Sequence, residues 1–297
     1  MVNNNQHLKV SFKKYIEMNN SERKEAVNFI KSKNEDVDSV KKLDDMFNGR
    51  IYDKGNGIIF AFNNNKIIAK VAVVLECINP LGTSFIHNIE IKDELQDKDD
   101  FLILLIKEAK ELAVSYGAQN IKLGIRSTTI LNTLKKVGLY RDYSAIKMKL
   151  NDKEVKEEIL VLEELTIGNS YKYLEVFNDS FSDMPHGTWL DNEELNKYLN
   201  NKEENKYYFM VKNNNKIIGF MNCEIENNEG MFDIGLCKKY RGKGLGKRLL
   251  ESAIQFLNNK NVKNISLIVI EKNKVAYEMY KKRGFIKENT ISEWIEL

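Results

Sequence analysis

Hydrophobic positions along the chain follow two periods, and their order predicts alternating strands and helices. Apolar and polar residues alternate from residue 231 to 237, which predicts a strand with one buried face. Residues 245–257 carry apolar side chains three and four positions apart, which predicts a helix packed on that strand. Further strand patterns cover residues 58–62, 69–75, 207–211, 219–225 and 265–270. This order indicates an α/β fold with a mixed (α+β) sheet.

The chain also repeats itself at a spacing of about 150 residues. The sequence Asn-Asn-Asn-Lys-Ile-Ile occurs at 63–68 and at 213–218, and strand patterns flank both copies, so we expect two hairpins. Similar segments recur in the same order near 120 and 264 and near 135 and 281. The charged segment 151–158 lacks apolar periodicity and is interpreted as an exposed connector. We therefore predict two domains, 1–152 and 157–297.

Composition excludes several classes of protein. The 297 residues have a formal net charge of +3, too weak a field to indicate nucleic acid or an acidic membrane as partner. Apolar runs are far shorter than the roughly 18 residues of a membrane span, and residues 1–6 lack the apolar core of a secretory signal. Cysteines 77, 223 and 237 and the three histidines show no metal-ligand spacing. We expect a cytoplasmic protein without a metal.

The most informative motif lies where the strand at 231–237 meets the helix. Its three glycines alternate in the sequence Arg241-Gly242-Lys243-Gly244-Leu245-Gly246. Glycines let the backbone approach a ligand closely, and a helix start offers free N–H groups to a phosphate. The spacing fits neither a nucleotide-binding P-loop nor a dinucleotide fingerprint. A tight turn among solvated lysines is the alternative.

A second motif, Asn273-x-x-Ala276-x-x-x-Tyr280-x-x-x-Gly284-Phe285, follows the strand at 265–270 and puts Asn273, Ala276 and Tyr280 on one helix face. The alternative is an ordinary core tyrosine before a glycine cap. Together the two motifs resemble those of the GNAT superfamily of N-acetyltransferases. The resemblance implies acetyl-CoA as co-substrate, with the pyrophosphate on the glycine loop. The implied coenzyme contacts are Leu236, Cys237, Arg241, Gly242, Lys243, Gly244, Leu245, Gly246, Lys247, Asn273, Ala276 and Tyr280.

Acetyl transfer needs an acid and a base. The resemblance places Tyr280 as the acid, and a phenol can return a proton to a thiolate of lower pKa. Either a carboxylate or a relayed water can serve as the base. Asp233 and Glu224 are the candidate carboxylates, with Glu226 beside them, although carboxylates on such strands are more often a solvated face. Cys237 is less suited as a nucleophile, because a strand cysteine is commonly a buried hydrophobe.

The acceptor pocket is expected between the early helices of the second half, where Phe181, His186 and Trp189 are candidates. A purely structural role for them is equally compatible with the pattern. In the first half, counting back from the glycine loop reaches Gln96 and an aspartate-rich run, and counting back from Tyr280 reaches Leu134. Negative charges and β-carbons there oppose a pyrophosphate, unless the run is only a solvated loop.

The first half therefore resembles a degenerate GNAT copy in a tandem chain, an arrangement that mycothiol synthase also has. We expect two tandem GNAT-like domains, of which the second transfers acetyl from acetyl-CoA directly to a primary amine of a small molecule. The alternatives are a CoA-binding sensor without turnover and an acyltransferase with a longer acyl group or a hydroxyl acceptor. The sequence leaves the oligomeric state open.

Overall fold

Matched hairpins with Asn-Asn turns occur in both halves of the chain. The computed structural model describes residues 10–32, 36–95, 97–200 and 205–297. The turn residues have φ values of +48° and +63° at Asn64 and Asn65, and +49° and +60° at Asn214 and Asn215. Two successive left-handed residues form the tight turn whose twist matches paired strands, and asparagine tolerates this backbone better than most residues. Both predicted hairpins are confirmed.

The chain divides into two compact units. One comprises Met1–Asp142 and Glu293–Leu297, and the other comprises Tyr143–Ser292. These units differ in two segments from the predicted division at 152 and 157: residues 143–152 lie in the second unit, and the last five residues lie in the first. Alternation along a strand says which face is buried but not which neighbour the strand pairs with, so the sequence could not reveal this exchange.

The first unit contains ten α-helices and β-strands in its described residues before the exchanged segment. They are β1 (Val10–Lys14), α1 (Asn20–Lys31), α2 (Val40–Phe47), β2 (Ile58–Asn63), β3 (Lys66–Val74), α3 (Ile78–Leu81), β4 (Thr83–Ile91), α4 (Lys98–Ser115), β5 (Asn120–Ile125) and α5 (Thr128–Lys136). The second unit begins with a strand from the amino-terminal half. Its elements are β6 (Tyr143–Leu150), β7 (Val161–Glu164), α6 (Ser170–Phe181), α7 (Asn192–Asn200), β8 (Lys206–Asn213), β9 (Lys216–Glu226), β10 (Glu229–Leu236), α8 (Leu245–Asn259), β11 (Asn264–Ile270), α9 (Lys274–Arg283) and β12 (Phe285–Glu296).

Each unit has a mixed sheet of the same pattern. In the first unit the order is β1, β2, β3, β4 and β5, and the end of β12 pairs antiparallel with β5. In the second unit the order is β7, β8, β9, β10 and β11, followed by β6, again antiparallel. The parallel pairs are β4 with β5 and β10 with β11. The mixed α/β fold is confirmed, and the segment that completes each sheet comes from the opposite half of the sequence.

Helix α8 supplies much of the core of the second unit. Leu245, Leu249, Leu250, Ile254 and Leu257 are all buried, at the spacing that the sequence predicts. They pack with residues of β9, β10 and β11 in one cluster. Burial of a leucine side chain stabilises a fold by about 1.5–3 kcal/mol, so this face fixes the position of the helix start against the strands.

Candidate active site

A wedge opens between the two parallel strands of the second unit. β10 and β11 pair only across Glu229–Met231 and Asn264–Ser266. Beyond Met231 the remainder of β10 pairs with β9, and the rest of β11 pairs with β6, so the two strands diverge. A cleft of about 670 Å³ occupies this gap. Its walls are Phe232–Leu236 of β10, 268–270 of β11, the glycine loop, the 180–186 segment and α9.

The glycine loop forms the corner between β10 and α8. Gly242 and Gly244 have φ of +72° and +78°, in the left-handed region that favours glycine. Within the described residues, the backbone N–H groups of 242–246 have no hydrogen-bond partner. Successive free amides at a helix start form an anion cradle. The loop therefore fits a diphosphate.

Lysines supplement this cradle. Lys247 lines the cleft, whereas the Lys243 ammonium lies 5.8 Å from the centroid of the Tyr240 ring. Neither lysine has a carboxylate partner within the described residues. Both predicted contacts thus lie at the loop, and only Lys247 is among the side chains that line the cleft.

Arg241 begins the glycine motif, but its guanidinium is occupied within the protein. Nη1 and Nη2 donate to the two carboxylate oxygens of Asp183 at 2.8 and 3.0 Å. Nη2 also donates to the Ser180 carbonyl at 2.9 Å, and Nε donates to the Leu236 carbonyl at 3.1 Å. Arg241 lines the cleft, yet its guanidinium N–H groups donate hydrogen bonds to other residues of the protein. The sequence motif gave no sign of this.

The predicted face of α9 lies at the cleft. Asn273 precedes the helix, and its Oδ1 accepts a hydrogen bond from the Ala276 amide at 3.3 Å. Both residues line the cleft together with Tyr280. Burial, and next the charge of Asp233, raise the pKa of Tyr280, so this phenol keeps its proton at neutral pH. Its hydroxyl has no hydrogen bond to another described residue, which leaves the proton available to a ligand.

Only one of the candidate bases lies in the cleft. The Asp233 side chain lines it and is exposed to the cleft solvent. Partial desolvation by the surrounding protein, and next the charge of Glu224, raise its pKa. Glu224 is opposite Met231, is half exposed, and lies 3.7 Å from the Lys206 ammonium. Glu226 is exposed at the end of β9. Of the three candidate bases, the geometry therefore favours Asp233 over the two glutamates.

The two strand residues predicted to contact the coenzyme point in different directions. Leu236 lines the cleft. Cys237 is buried with Tyr173, Val176 and Phe220 in a cluster beneath α6. Burial, and next the charge of Asp179, raise the pKa of the Cys237 thiol. A thiol that holds its proton is a poor nucleophile, which agrees with the prediction that Cys237 does not attack.

The acceptor-side predictions divide in the same way. Phe181 and His186 line the cleft, but Trp189 is not among its lining residues in the described chain. The Tyr143 hydroxyl lies 3.2 Å from Nδ1 of His186, and the rings meet edge to face. Sequence analysis missed Tyr143, because it belongs to β6 in the opposite half of the sequence. Its aromatic character alone carries no signal of this contact.

Gly235 is a second residue that the motifs did not identify. A β-carbon at this position would lie 2.5 Å from Cε1 of Phe220 and 2.8 Å from Cβ of Ser180. Glycine therefore allows the end of α6 to approach β10 closely. This approach brings the 180–186 segment to the cleft.

The corresponding corner of the first unit has a different chemistry. Asp97, with φ of +56°, precedes α4 as Gly244 precedes α8. Gln96 lies outside the described residues. Asp99 accepts hydrogen bonds from Thr133 at 2.9 Å and from Lys136 at 3.2 Å. Leu134, the counterpart of Tyr280, is fully buried. These aspartates are exposed, as the solvated alternative expects, and Asp99 also joins α4 to α5.

No group of three or more His, Cys, Asp or Glu side chains in the described residues could hold a metal ion. No helix among them has the length and apolar character needed to cross a membrane.

Comparison with known proteins finds sequence similarity for the second unit. Residues 172–285 match the model of the acetyltransferase (GNAT) family. An uncharacterized N-acetyltransferase of Methanocaldococcus jannaschii is 28% identical over 109 residues, 34% of this chain and 48% of that protein. The [ribosomal protein bS18]-alanine N-acetyltransferase of Haemophilus influenzae is 37% identical over 97 residues, 32% of this chain and 60% of that protein. The chain thus spans about half the length of these curated relatives.

Solved structures extend the likeness to the fold of both units. A GCN5-related N-acetyltransferase from Sphaerobacter thermophilus matches with a TM-score of 0.62 at 13% identity, covering 97% of this chain and 95% of that one. A tandem GNAT protein from the clavulanic acid biosynthesis pathway matches with a TM-score of 0.57 at 11% identity, covering 97% of each chain. The second unit is therefore similar in sequence to GNAT acetyltransferases over residues 172–285, and the chain shares the fold of these solved structures.

Proposed function

We propose that the second unit is an acetyl-CoA-dependent N-acetyltransferase that transfers acetyl directly to a primary amine of a small molecule. The observation that carries this proposal is the row of free amides at 242–246, placed at the mouth of a wedge between diverging parallel strands. Such a row binds a diphosphate, and the wedge offers unpaired strand groups to an extended ligand that continues from it. Tyr280 and Asp233 lie in the same cleft.

Acetyl-CoA, when bound, supplies an acetyl group activated as a thioester. The loop amides and Lys247 would hold its diphosphate, Leu236 would lie along its extended arm, and Ala276 is small enough to leave room beside it. Side chains at positions 242 or 244 would be strained, because the backbone there is left-handed. The residues present therefore fit the coenzyme.

The remaining chemistry belongs to two side chains of the cleft. The Asp233 carboxylate can accept the proton of an incoming ammonium group, and its raised pKa makes it a stronger base than an ordinary aspartate. The Tyr280 hydroxyl holds its proton at neutral pH and can donate it to the leaving sulfur. Direct transfer is favoured because no cysteine is among the described residues that line the cleft, and burial raises the pKa of the Cys237 thiol.

The test is release of CoA, measured with a thiol reagent, from acetyl-CoA and a panel of acceptors. The panel contains 2-phenylethylamine, spermidine, glucosamine, lysine and a peptide with an amino-terminal alanine, the last because one relative is named for such an acceptor. We expect at least one amine to accelerate release well above hydrolysis. Tyr280→Phe should lower kcat about 100-fold, the usual contribution of a general acid. Tyr277→Phe, on the same helix, is the matched control and should retain the rate.

Binding of acetyl-CoA without release above background for any amine would contradict the proposal and indicate a sensor. If CoA is released only from a longer acyl-CoA, acetyl-CoA is not the acyl donor. If it is released only with hydroxyl analogues of the amines, the acceptor is a hydroxyl and not an amine. Absence of acetyl-CoA binding would contradict the coenzyme assignment itself.

A further inference from the structure

The segment from Asp179 to His186, at the carboxyl end of α6, is hydrogen-bonded to the residues that precede the glycine loop as well as to its own helix. Asp179 accepts a hydrogen bond from the Lys238 amide at 2.9 Å, and the Lys238 ammonium lies 3.3 Å from the Ser182 hydroxyl. The Arg241 guanidinium donates hydrogen bonds to the Ser180 carbonyl and to both carboxylate oxygens of Asp183. Both partners, Lys238 and Arg241, lie immediately before Gly242.

The Arg241–Asp183 pair is the strongest of these contacts. It is bidentate and charge-assisted, with Nη–Oδ distances of 2.8 and 3.0 Å, and the two side chains are 31% and 43% exposed. The guanidinium lowers the pKa of Asp183 below its usual range, so the carboxylate stays charged. A planar guanidinium that donates two hydrogen bonds to one carboxylate fixes the relative orientation of the two side chains as well as their distance. The guanidinium also holds the Leu236 carbonyl, so one side chain connects the strand, the loop and the 179–186 segment.

From these contacts we infer that Arg241 and Asp183 form a clip that positions the acceptor wall, the segment 179–186, on the coenzyme loop. This inference rests on the proposed function, because it assigns the coenzyme to the loop and the acceptor to that wall. Arg241 then acts through Asp183 as a positioning residue, and coenzyme contact falls to the backbone of 242–246. The motif places an arginine here, and the structure uses its charge to hold Phe181, Met184 and His186 at the cleft.

Coupling of the two sites follows from this geometry. Coenzyme that immobilises the loop amides also immobilises the groups tied to Lys238 and Arg241, and therefore the wall. Breaking the clip leaves the loop amides intact but frees the wall. The coenzyme affinity should then change little, while acceptor binding weakens.

The test compares Asp183→Asn and Arg241→Lys with the wild-type chain and with Glu193→Gln, a control at an exposed ion pair on α7. Acetyl-CoA affinity is measured by titration calorimetry, and hydrogen exchange of residues 179–187 is measured with and without acetyl-CoA. In wild type and Glu193→Gln, acetyl-CoA should slow exchange of this segment. In both clip variants acetyl-CoA should bind within about 3-fold of wild type yet no longer slow exchange there, because lysine cannot form the bidentate fork.

Kinetics with the fastest amine of the panel provide the second readout. The acceptor KM should rise about 10-fold in Asp183→Asn while kcat and the KM for acetyl-CoA stay within about 3-fold, since positioning rather than chemistry is lost. Retained protection and unchanged acceptor KM in both variants would overturn the clip. A loss of acetyl-CoA affinity above 10-fold in Asp183→Asn would overturn it too. If wild type itself binds no acetyl-CoA, the proposed function fails first and this inference fails with it.

Discussion

At the corner between strand and helix, the second unit has Gly244 and the first unit has Asp97, and both residues are left-handed, with φ of +78° and +56°. Both corners thus place a left-handed residue directly before the helix, although only the glycine favours it. What differs is the charge. The second corner carries three glycines, whereas the first carries Asp97, Asp99 and Asp100, and Asp99 accepts hydrogen bonds from Thr133 and Lys136 at the start of α4. A corner can keep a left-handed residue before its helix while its side chains oppose an anion.

The strand residues beyond the parallel pairing also differ between the units. His87 is the fifth residue of β4 and Asp233 the fifth of β10, each following the parallel pairing. Burial, and next the charges of Lys70 and Arg126, lower the pKa of His87 to about 4, whereas partial desolvation, and next the charge of Glu224, raise the pKa of Asp233. Trp294 lies over Gly124 in the first unit, where a β-carbon would be 2.7 Å from its ring. The two units therefore show that the same position in a strand can hold side chains of different charge without a change in strand pairing.

The largest effect on coenzyme binding is expected when Gly244, at the corner of the second unit, is replaced by aspartate, the residue at the corner of the first unit. Gly244→Asp should weaken acetyl-CoA binding about 1,000-fold. The new carboxylate would lie beside a diphosphate, and an aspartate in left-handed backbone adds strain. Titration calorimetry measures the loss.

Gly138→Asp in the first unit is the matched control. Gly138 has φ of +83° and open space around its Cα, so the substitution adds similar strain without approaching the coenzyme loop. It should leave acetyl-CoA affinity unchanged. Equal affinity for Gly244→Asp and wild type would show that the two corners do not differ in the way described.

The next effect concerns a buried ion pair of the second unit whose positions hold Leu104 and Val137 in the first unit. Glu251 of α8 and Arg283 of α9 have side chains only 2% and 7% exposed. Arg283 also donates to the carbonyls of Asp152 and Glu154, and Glu251 accepts from the Lys156 amide. Glu251→Ala should lower the free energy of unfolding by about 3 kcal/mol, because it leaves a buried guanidinium without its carboxylate.

Denaturant unfolding followed by circular dichroism measures this change. The matched variant is the double substitution Glu251→Leu with Arg283→Val, since Leu104 and Val137 stand at the corresponding positions of the first unit. It should be less destabilised than Glu251→Ala. A single variant as stable as wild type would contradict the importance of the pair.

These comparisons also indicate how far sequence reasoning reaches. The hairpins, α8 and the glycine corner were predictable, because each is encoded by residues close together in sequence. The exchanged strands, the Tyr143–His186 contact and the clip of Arg241 were not, because each depends on a partner at least 40 residues away. The connector at 151–158 was correctly expected to be largely exposed. Its hydrogen bonds to α8 and α9 could not be foreseen from charge alone.

A smaller effect concerns the position that holds Asp233 in one unit and His87 in the other. Asp233→Asn should lower kcat/KM about 30-fold, because the amide cannot accept a proton. The sign of the pH effect follows from the raised pKa: a base must be ionised, so the wild-type rate should fall on acidification at a higher pH than for an ordinary aspartate. In Asp233→Asn this acid limb should disappear. The pH profile of kcat/KM tests it, and Glu226→Gln is the control that should keep the limb; an unchanged profile in Asp233→Asn would assign the base elsewhere.

The smallest effect should be equal in the two units, since the hairpin turns are their most similar parts. Asn65 and Asn215 have φ of +63° and +60°, and each closes an Asn-Asn turn. Glycine adopts this backbone without a steric cost, but it also gains freedom in the unfolded chain. We expect the lower steric cost to prevail, so Asn65→Gly and Asn215→Gly should each raise the free energy of unfolding by about 0.5 kcal/mol, measured by thermal unfolding. Acetyl-CoA affinity should not change. Replacement by alanine should instead destabilise both hairpins. If glycine stabilised one hairpin and destabilised the other, the local encoding that makes these turns predictable from sequence would hold in only one unit.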